Sequence, residues 1–216
     1  MRKALQIIPV SRLILIILVG TAVYLTSLSG EFVWDDVHFI TGNTYLRDFR
    51  HLPRILAEDV AAGSGQTYNY YRPLTVISYL IDYSFWNLNP VGYHISSVFA
   101  HLLVAVTLTL LTGLLFRDRP LAFLAGLVYA VHPIHTETVA YISGRPDSLA
   151  ALFSLLSLIA YIRRCRGAGG WSLAALYLFS LLALLSRENS IVLPGLLISY
   201  HLVFRKKIIW SGLLPV

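Results

Sequence analysis

The sequence predicts an all-α, polytopic membrane protein of about six transmembrane helices, with a structured first outer loop that carries amphipathic or juxtamembrane helices. Three observations carry that expectation: the composition, the spacing of apolar segments, and the sorting of charge between them. The chain is 56% hydrophobic and 13% charged, with a mean hydropathy of +0.68, whereas soluble domains run nearer a quarter charged. The net charge of +6 falls in short basic clusters between apolar runs. That is the pattern of membrane orientation and not of a phosphate-binding face, so nucleic acid is not an expected partner, whereas membrane lipids are. The single cysteine, Cys165, cannot form an internal disulfide and reads as a bystander.

The segments follow in order. Met1-Arg-Lys3 and the run Val10–Leu28 read as an uncleaved first span in preference to a signal peptide, because further apolar segments follow. Val91–Phe116 is the second span and is long enough to cross with tilt. Leu121–Val131, Leu149–Ile162, Trp171–Leu185 and Ile191–Phe204 complete the set. These four are shorter than a usual crossing, as expected of helices that stop where polar backbone lines a cavity. The terminal Gly212-Leu-Leu-Pro-Val216 reads as the start of another apolar segment, so a fragment of a longer protein is expected.

Alternating loops sort the charges. One side receives Arg2, Lys3, Arg12, Arg117, Arg119, Arg163, Arg164, Arg166, Arg205, Lys206 and Lys207, which is 11 of the 17 basic residues, and a single acid, Asp118. The other side holds Glu31, Asp35, Asp36, Asp48, Glu58, Asp59, Asp82, Glu137, Asp147 and Glu188 with six arginines. By the positive-inside rule both termini are cytoplasmic and the acids face outward.

The first outer segment, 31–90, is too long for a plain connection. Tyr45–Val60 carries Leu46, Phe49, Leu52, Ile55 and Leu56 at helical spacing. It predicts an amphipathic helix on the membrane surface, with Arg47, Arg50 and Arg54 open to anionic head groups. Ala62-Gly-Ser-Gly65 predicts a flexible break, and Pro73–Trp86 a second, interfacial helix. A re-entrant crossing there is rejected because it inverts every later loop and spoils the charge asymmetry.

The candidate site gathers on the outer side. Asp35 and Asp36 are adjacent acids just beyond the first span, and such a pair can divide labour: one takes a proton while the other holds a cation or a hydroxyl. Which of the two is the base stays open on residues alone, since neighbours titrate as a pair. His38, Arg72, His94, His132, His135, Glu137, Arg145, Asp147, Arg187 and Glu188 are the candidate substrate- and phosphate-binding residues. Arginines suit a phosphate through bidentate hydrogen bonds, and helices too short to span bring their polar ends together. His132-x-x-His135-x-Glu137 lacks the i, i+4 histidine spacing of a zinc helix and contains Pro133, so no metal site is assigned. No cofactor is required by this reading, and a divalent cation stays an open alternative. His101, His201 and Asp82 read as structural. Together the groups suggest transfer from a phosphate-bearing donor at the membrane surface. The other class that the charges allow is a non-catalytic scaffold or transporter-like fragment with an outer polar vestibule, although a transporter should show inverted repeats and none is visible.

Asp35-Asp-Val-His-Phe39 after a first span resembles the first outer loop of protein O-mannosyltransferases and other membrane glycosyltransferases of the GT-C fold. The succession Tyr71-Arg-Pro-Leu-Thr75, Gly92-Tyr-His94, His132-Pro-Ile-His-Thr-Glu137, Gly144-Arg-Pro-Asp147 and Ser186-Arg-Glu188 is similar to the transmembrane and tetratricopeptide-repeat branch, over Phe32 to about Gly195. The resemblance implies an inverting transferase that takes a sugar from a polyprenyl-phosphate carrier and gives it to an acceptor protein. It implies Asp35 as the base, Asp36 as its orienting partner, and Arg72, His132, His135, Arg145 and Arg187 as carrier ligands. It places the chain in the cell membrane of a prokaryote or the endoplasmic reticulum of a eukaryote. It also makes residues 1–216 the N-terminal part of a GT-C-like domain, since family members carry about twice as many spans and a soluble repeat domain.

Overall fold

The computed structural model describes residues 8–205; Arg2, Lys3, Lys206, Lys207 and the apolar terminus at 212–216 lie outside these described residues. Within them the chain is helical and contains no strand. The helices are α1 (Val10–Tyr24), α2 (Leu52–Ile55), α3 (Pro73–Trp86), α4 (Pro90–Phe116), α5 (Arg119–Val131), α6 (Thr136–Ala140), α7 (Arg145–Cys165), α8 (Gly170–Ser186) and α9 (Leu193–Tyr200). Three stretches are long and apolar enough to cross a membrane: Val10–Ser29, Pro90–Phe116 and Ile142–Cys165. Shorter apolar helices, Arg119–Val131 and Gly170–Ser186, pack beside them.

Local chemistry sets the helix starts. Asn89 accepts the Val91 N–H at 3.1 Å ahead of Pro90, and Asp118 accepts the Leu121 N–H at 2.9 Å ahead of Pro120; each satisfies a donor that the first turn leaves orphaned. Small residues then allow close approach between helices. A methyl at Gly126 would lie 1.8 Å from the Thr109 hydroxyl, and one at Gly20 would lie 2.6 Å from Leu102, so α1 and α5 both pack closely against α4. A seryl contact, Ser157 Oγ to Ser180 Oγ at 2.8 Å, joins α7 to α8.

The bundle has two ends. At one, Arg12 lies over Phe123 at 5.8 Å and the Arg166 guanidinium donates to the Leu114 carbonyl at 2.8 Å. At the other lie the exits of α1 and α5 and the entrances of α4 and α7, where the Tyr24 hydroxyl reaches the His132 carbonyl at 3.5 Å. The acids that the sequence groups on one side collect at this second end.

The segment between α1 and α3 folds as a cap over α3. Phe39, Ile40, Leu46, Ile55, Val60 and Ala61 form one apolar core with Val76, Tyr79, Leu80, Tyr93 and Ile142. Buried Asn43 ties it together, donating to the Phe39 and Val60 carbonyls at 3.3 and 3.2 Å and accepting the Tyr45 N–H at 3.1 Å. The continuous helix expected over Tyr45–Val60 is not formed. Instead 3-10 turns at Thr44–Arg47 and Phe49–His51 lead into α2, because Asp48 adopts an extended backbone and caps the second turn through the Arg50 N–H at 2.8 Å. Arg47 is not open to head groups: it donates to the Thr41 carbonyl at 2.6 Å and stacks 4.3 Å over Tyr83. Nor is Ala62–Gly65 a free break. It is a 3-10 turn ended by Gly65 at φ 73°, with Gly63 pressed so close to Asn43 that a methyl there would fall 2.0 Å from its Oδ1.

Candidate active site at the acid-pair end

The acid pair sits on a turn that is forced into shape. The chain leaves α1 through a 3-10 turn, Leu25–Ser29, and Gly30 passes so close to His94 that a methyl there would lie 2.8 Å from its Nε2. Four residues on, Trp34 takes φ 50°, a left-handed conformation that costs a bulky residue about 1–3 kcal/mol. The Trp34 indole is 80% exposed and packs edge-on against Tyr141, with ring centroids 5.7 Å apart.

The turn separates the two carboxylates. Asp36 is fully buried: its Oδ1 accepts the Ser143 N–H at 2.9 Å and the Ser143 hydroxyl, and its Oδ2 accepts the Val33 N–H at 3.0 Å. Burial pushes the Asp36 carboxyl up, and the Ser143 and Val33 donors, with His94 nearby, pull it back. Asp35 is half-buried. Its backbone N–H is received by the Tyr141 hydroxyl at 3.3 Å. The Tyr141 phenol is itself pushed up to about 12, first by burial and then by the Asp35 carboxylate, while the Ser143 hydroxyl lowers it. A saturated, buried carboxylate therefore lies beside a half-buried one that meets the Tyr141 phenol.

A second group surrounds the head of α7 and the end of α8. Arg72 grips Glu188 with both arms, Nε to Oε2 at 2.9 Å and Nη2 to Oε1 at 2.5 Å, and stacks 4.3 Å over Tyr70. Arg187 pairs with Asp147, and Glu137 and Arg72 both act on the Asp147 charge. The Thr75 hydroxyl donates to the Ser186 carbonyl at 3.0 Å and fixes α3 against this corner. Arg72 holds the Glu188 carboxyl below its ordinary range. Arg72 is largely buried whereas the Glu188 side chain is half-exposed. The site thus holds two guanidiniums, each tethered by a carboxylate that solvent or a ligand can reach.

The remaining candidates are placed as follows. His94 is buried, and its two ring nitrogens lack a well-formed hydrogen bond. His132 is exposed and accepts the Ile134 N–H at 3.2 Å, capping its own turn. His135 stacks on Tyr129 at 4.1 Å and lies 5.3 Å from His101; burial and the His132 charge lower its basicity. His38 is half-exposed, 6.1 Å from the Tyr68 ring. Arg145 lies in the interior. Its guanidinium is buried, paired with Asp82 at 2.5 Å and bonded to Ser97 at 3.1 Å, Ser78 at 3.2 Å and the Tyr93 carbonyl at 2.8 Å, with Tyr79 4.8 Å away. It anchors α7 to α3 and α4. Asp82, His101 and His201 have the structural partners expected of them: Arg145, the Ala130 carbonyl at 3.2 Å, and Tyr161 at 2.5 Å. Among the described residues no group of three or more His, Cys, Asp or Glu side chains is placed to hold a metal ion. The sequence reading missed Tyr141 and Ser143, which touch the acid pair from far along the chain.

No family model matches the chain, and no solved structure matches it. Curated proteins do. The chain is 38% identical over 166 residues to the human protein O-mannosyl-transferase TMTC2, covering 72% of the chain and 20% of that protein. It is 34% identical over 194 residues to human TMTC3, covering 87% and 21% respectively, and 31% identical over 160 residues to the Caenorhabditis elegans protein O-mannosyl-transferase F38B6.6, covering 71% and 23%. The chain therefore spans about a fifth of the length of the curated relatives it matches. Over that shared stretch it is a homologue of the TMTC protein O-mannosyl-transferases.

Proposed function

We propose that this chain, with about six spans, forms the acid-bearing, N-terminal part of a GT-C-like domain. In that domain a membrane glycosyltransferase moves a sugar from a polyprenyl-phosphate donor to a protein Ser/Thr hydroxyl at the outer or luminal face. The activity for which its relatives are named supports the reaction class. The observation that carries the assignment of roles is the unequal pair: Asp36 is saturated by three donors while Asp35 stays partly open.

In this reading the acceptor oxygen attacks the anomeric carbon and its proton passes to Asp35. The bond from the anomeric carbon to the phosphate oxygen breaks, and that oxygen keeps the electron pair, with inversion at carbon. Arg72 and Arg187 meet the charge that develops on the leaving phosphate, exchanging part of their hold on Glu188 and Asp147 for it. His132 and His135 flank the sugar. Residues on the arginine-rich end face the cytoplasm.

The deciding experiment is transfer of radiolabelled mannose from its polyprenyl phosphate, in membranes carrying the full-length protein. Asp35→Asn is expected to abolish transfer while carrier binding persists. Wild-type transfer by that variant overturns the proposal, and absence of transfer by the wild type with every polyprenyl-phosphate sugar favours a scaffold.

A further inference from the structure

Residues 141–143, which lead into α7, hold the backbone on both sides of Asp35. Ser143 places two donors on one Asp36 oxygen, its N–H at 2.9 Å and its hydroxyl. The other Asp36 oxygen closes back on the Val33 N–H at 3.0 Å. The Asp36 carboxylate thereby staples the turn 33–36 to the head of α7. Tyr141 supplies a second hold: its ring receives the Trp34 edge at 5.7 Å, and its hydroxyl accepts the Asp35 N–H at 3.3 Å. Left-handed Trp34 is strained, and such strain persists only where the surroundings over-determine it. These clamps do so, and they set the half-buried Asp35 side chain beside the Tyr141 phenol.

We infer that Tyr141 and Ser143 are positioning residues for group transfer at this site, Ser143 acting through Asp36 and Tyr141 acting on Asp35 directly. The inference rests on the reading of Asp35 as the base. Neither residue gains or loses a bond in the reaction: the acceptor proton still goes to Asp35 and the phosphate oxygen still leaves with its electron pair. Their work is to hold the Asp35 oxygens at hydrogen-bonding distance from the acceptor hydroxyl. A displacement of about 1 Å at such a contact costs roughly 100-fold in rate. The nucleophile and donor bind through other groups, so the loss falls on kcat and not on KM.

The test uses the full-length protein and polyprenyl-phosphate mannose. Tyr141→Phe keeps the ring that supports Trp34 and removes only the hydroxyl; it is expected to lower kcat by about 10- to 100-fold with both KM values unchanged. Ser143→Ala is expected to do the same, and Ser143→Thr, which retains the N–H and a hydroxyl, to restore most of the rate. A merely structural role moves yield and thermal stability instead of the kcat-to-KM split. If Ser143→Ala does not fold, Tyr141→Phe decides alone. Asp35→Asn, run in parallel, separates the two claims. Loss of transfer in Asp35→Asn with wild-type kcat in Tyr141→Phe overturns this inference and leaves the base assignment standing. Wild-type transfer in Asp35→Asn overturns both.

Discussion

Replacing Asp82 with Asn asks whether Arg145 is an anchor or a ligand-binding residue. The two side chains are 2% and 6% exposed, for Arg145 and Asp82 respectively, with an N–O separation of 2.5 Å. Asn keeps the shape and the hydrogen bond to Ser96 (2.6 Å in the native protein) but removes the counter-charge. Arg145 then retains Ser97, Ser78 and the Tyr93 carbonyl, all neutral, so a guanidinium charge stays buried without compensation. Breaking one partner of such a pair costs about 3–5 kcal/mol. For a domain of this size that corresponds to a fall in Tm of about 6–20 °C. Asp147→Asn is the control, because its pair with Arg187 is 39% and 26% exposed, and an exposed pair is worth about 1 kcal/mol or less. The assay is thermal unfolding of the purified protein in detergent at neutral pH. Asp82→Asn with Arg145→Met should recover most of the loss, since removing both charges together is close to neutral. Equal small shifts for Asp82→Asn and Asp147→Asn, or no recovery in the double variant, refute the reasoning.

Two further outcomes are expected. Arg72 lowers the Glu188 carboxyl, so this contact stabilises the fold above the ordinary glutamate range and is lost as pH falls through the lowered value; the stability gap between the native protein and Glu188→Gln should hold above that ordinary range and narrow progressively as pH falls below it, read as Tm against pH. For sidedness, a cysteine at exposed Trp34, in a Cys165→Ser background, is expected to react with an impermeant maleimide in intact cells, and protection there reverses the orientation.

What the sequence discloses and what it hides follow from the range of the forces involved. Helix starts at Asn89-Pro90 and Asp118-Arg-Pro120 are written in neighbouring residues, and the structure uses them as caps. The sorting of acids to one end is legible because it depends only on counting loops. The Tyr45–Val60 helix fails because apolar periodicity records which side chains turn inward, as Leu46 and Ile55 do, and not whether the backbone between them is continuous. Asp48 breaks it by a local side-chain hydrogen bond that competes with the helix ladder. The setting of Arg145 is hidden because its partners stand 48 to 67 residues away on α3 and α4. The signal that pointed to it was Asp82 itself, a lone acid within an otherwise apolar helix, which needs a cation. For Tyr141 and Ser143 no such signal exists: hydroxyl-bearing residues before a helix are common, and only the fold brings these two to the acids.

The head of α7 links stability to the site. Within one short stretch, Ser143 holds Asp36, Arg145 is bolted to Asp82, and Asp147 tethers Arg187. The three interactions reach into three different parts of the molecule: the turn after α1, the α3–α4 pair and the end of α8. The deepest of them, Arg145 with Asp82, sets where the other two can be made, because it fixes the first turn of α7 against α3 and α4. A change at Arg145 therefore displaces Ser143 and Asp147 together, although it touches neither acid of the pair. A change at Arg187 releases Asp147 alone. Loss of function at Arg145 thus carries an instability that loss at Arg187 does not, and this difference separates the anchor from the groups available to a ligand.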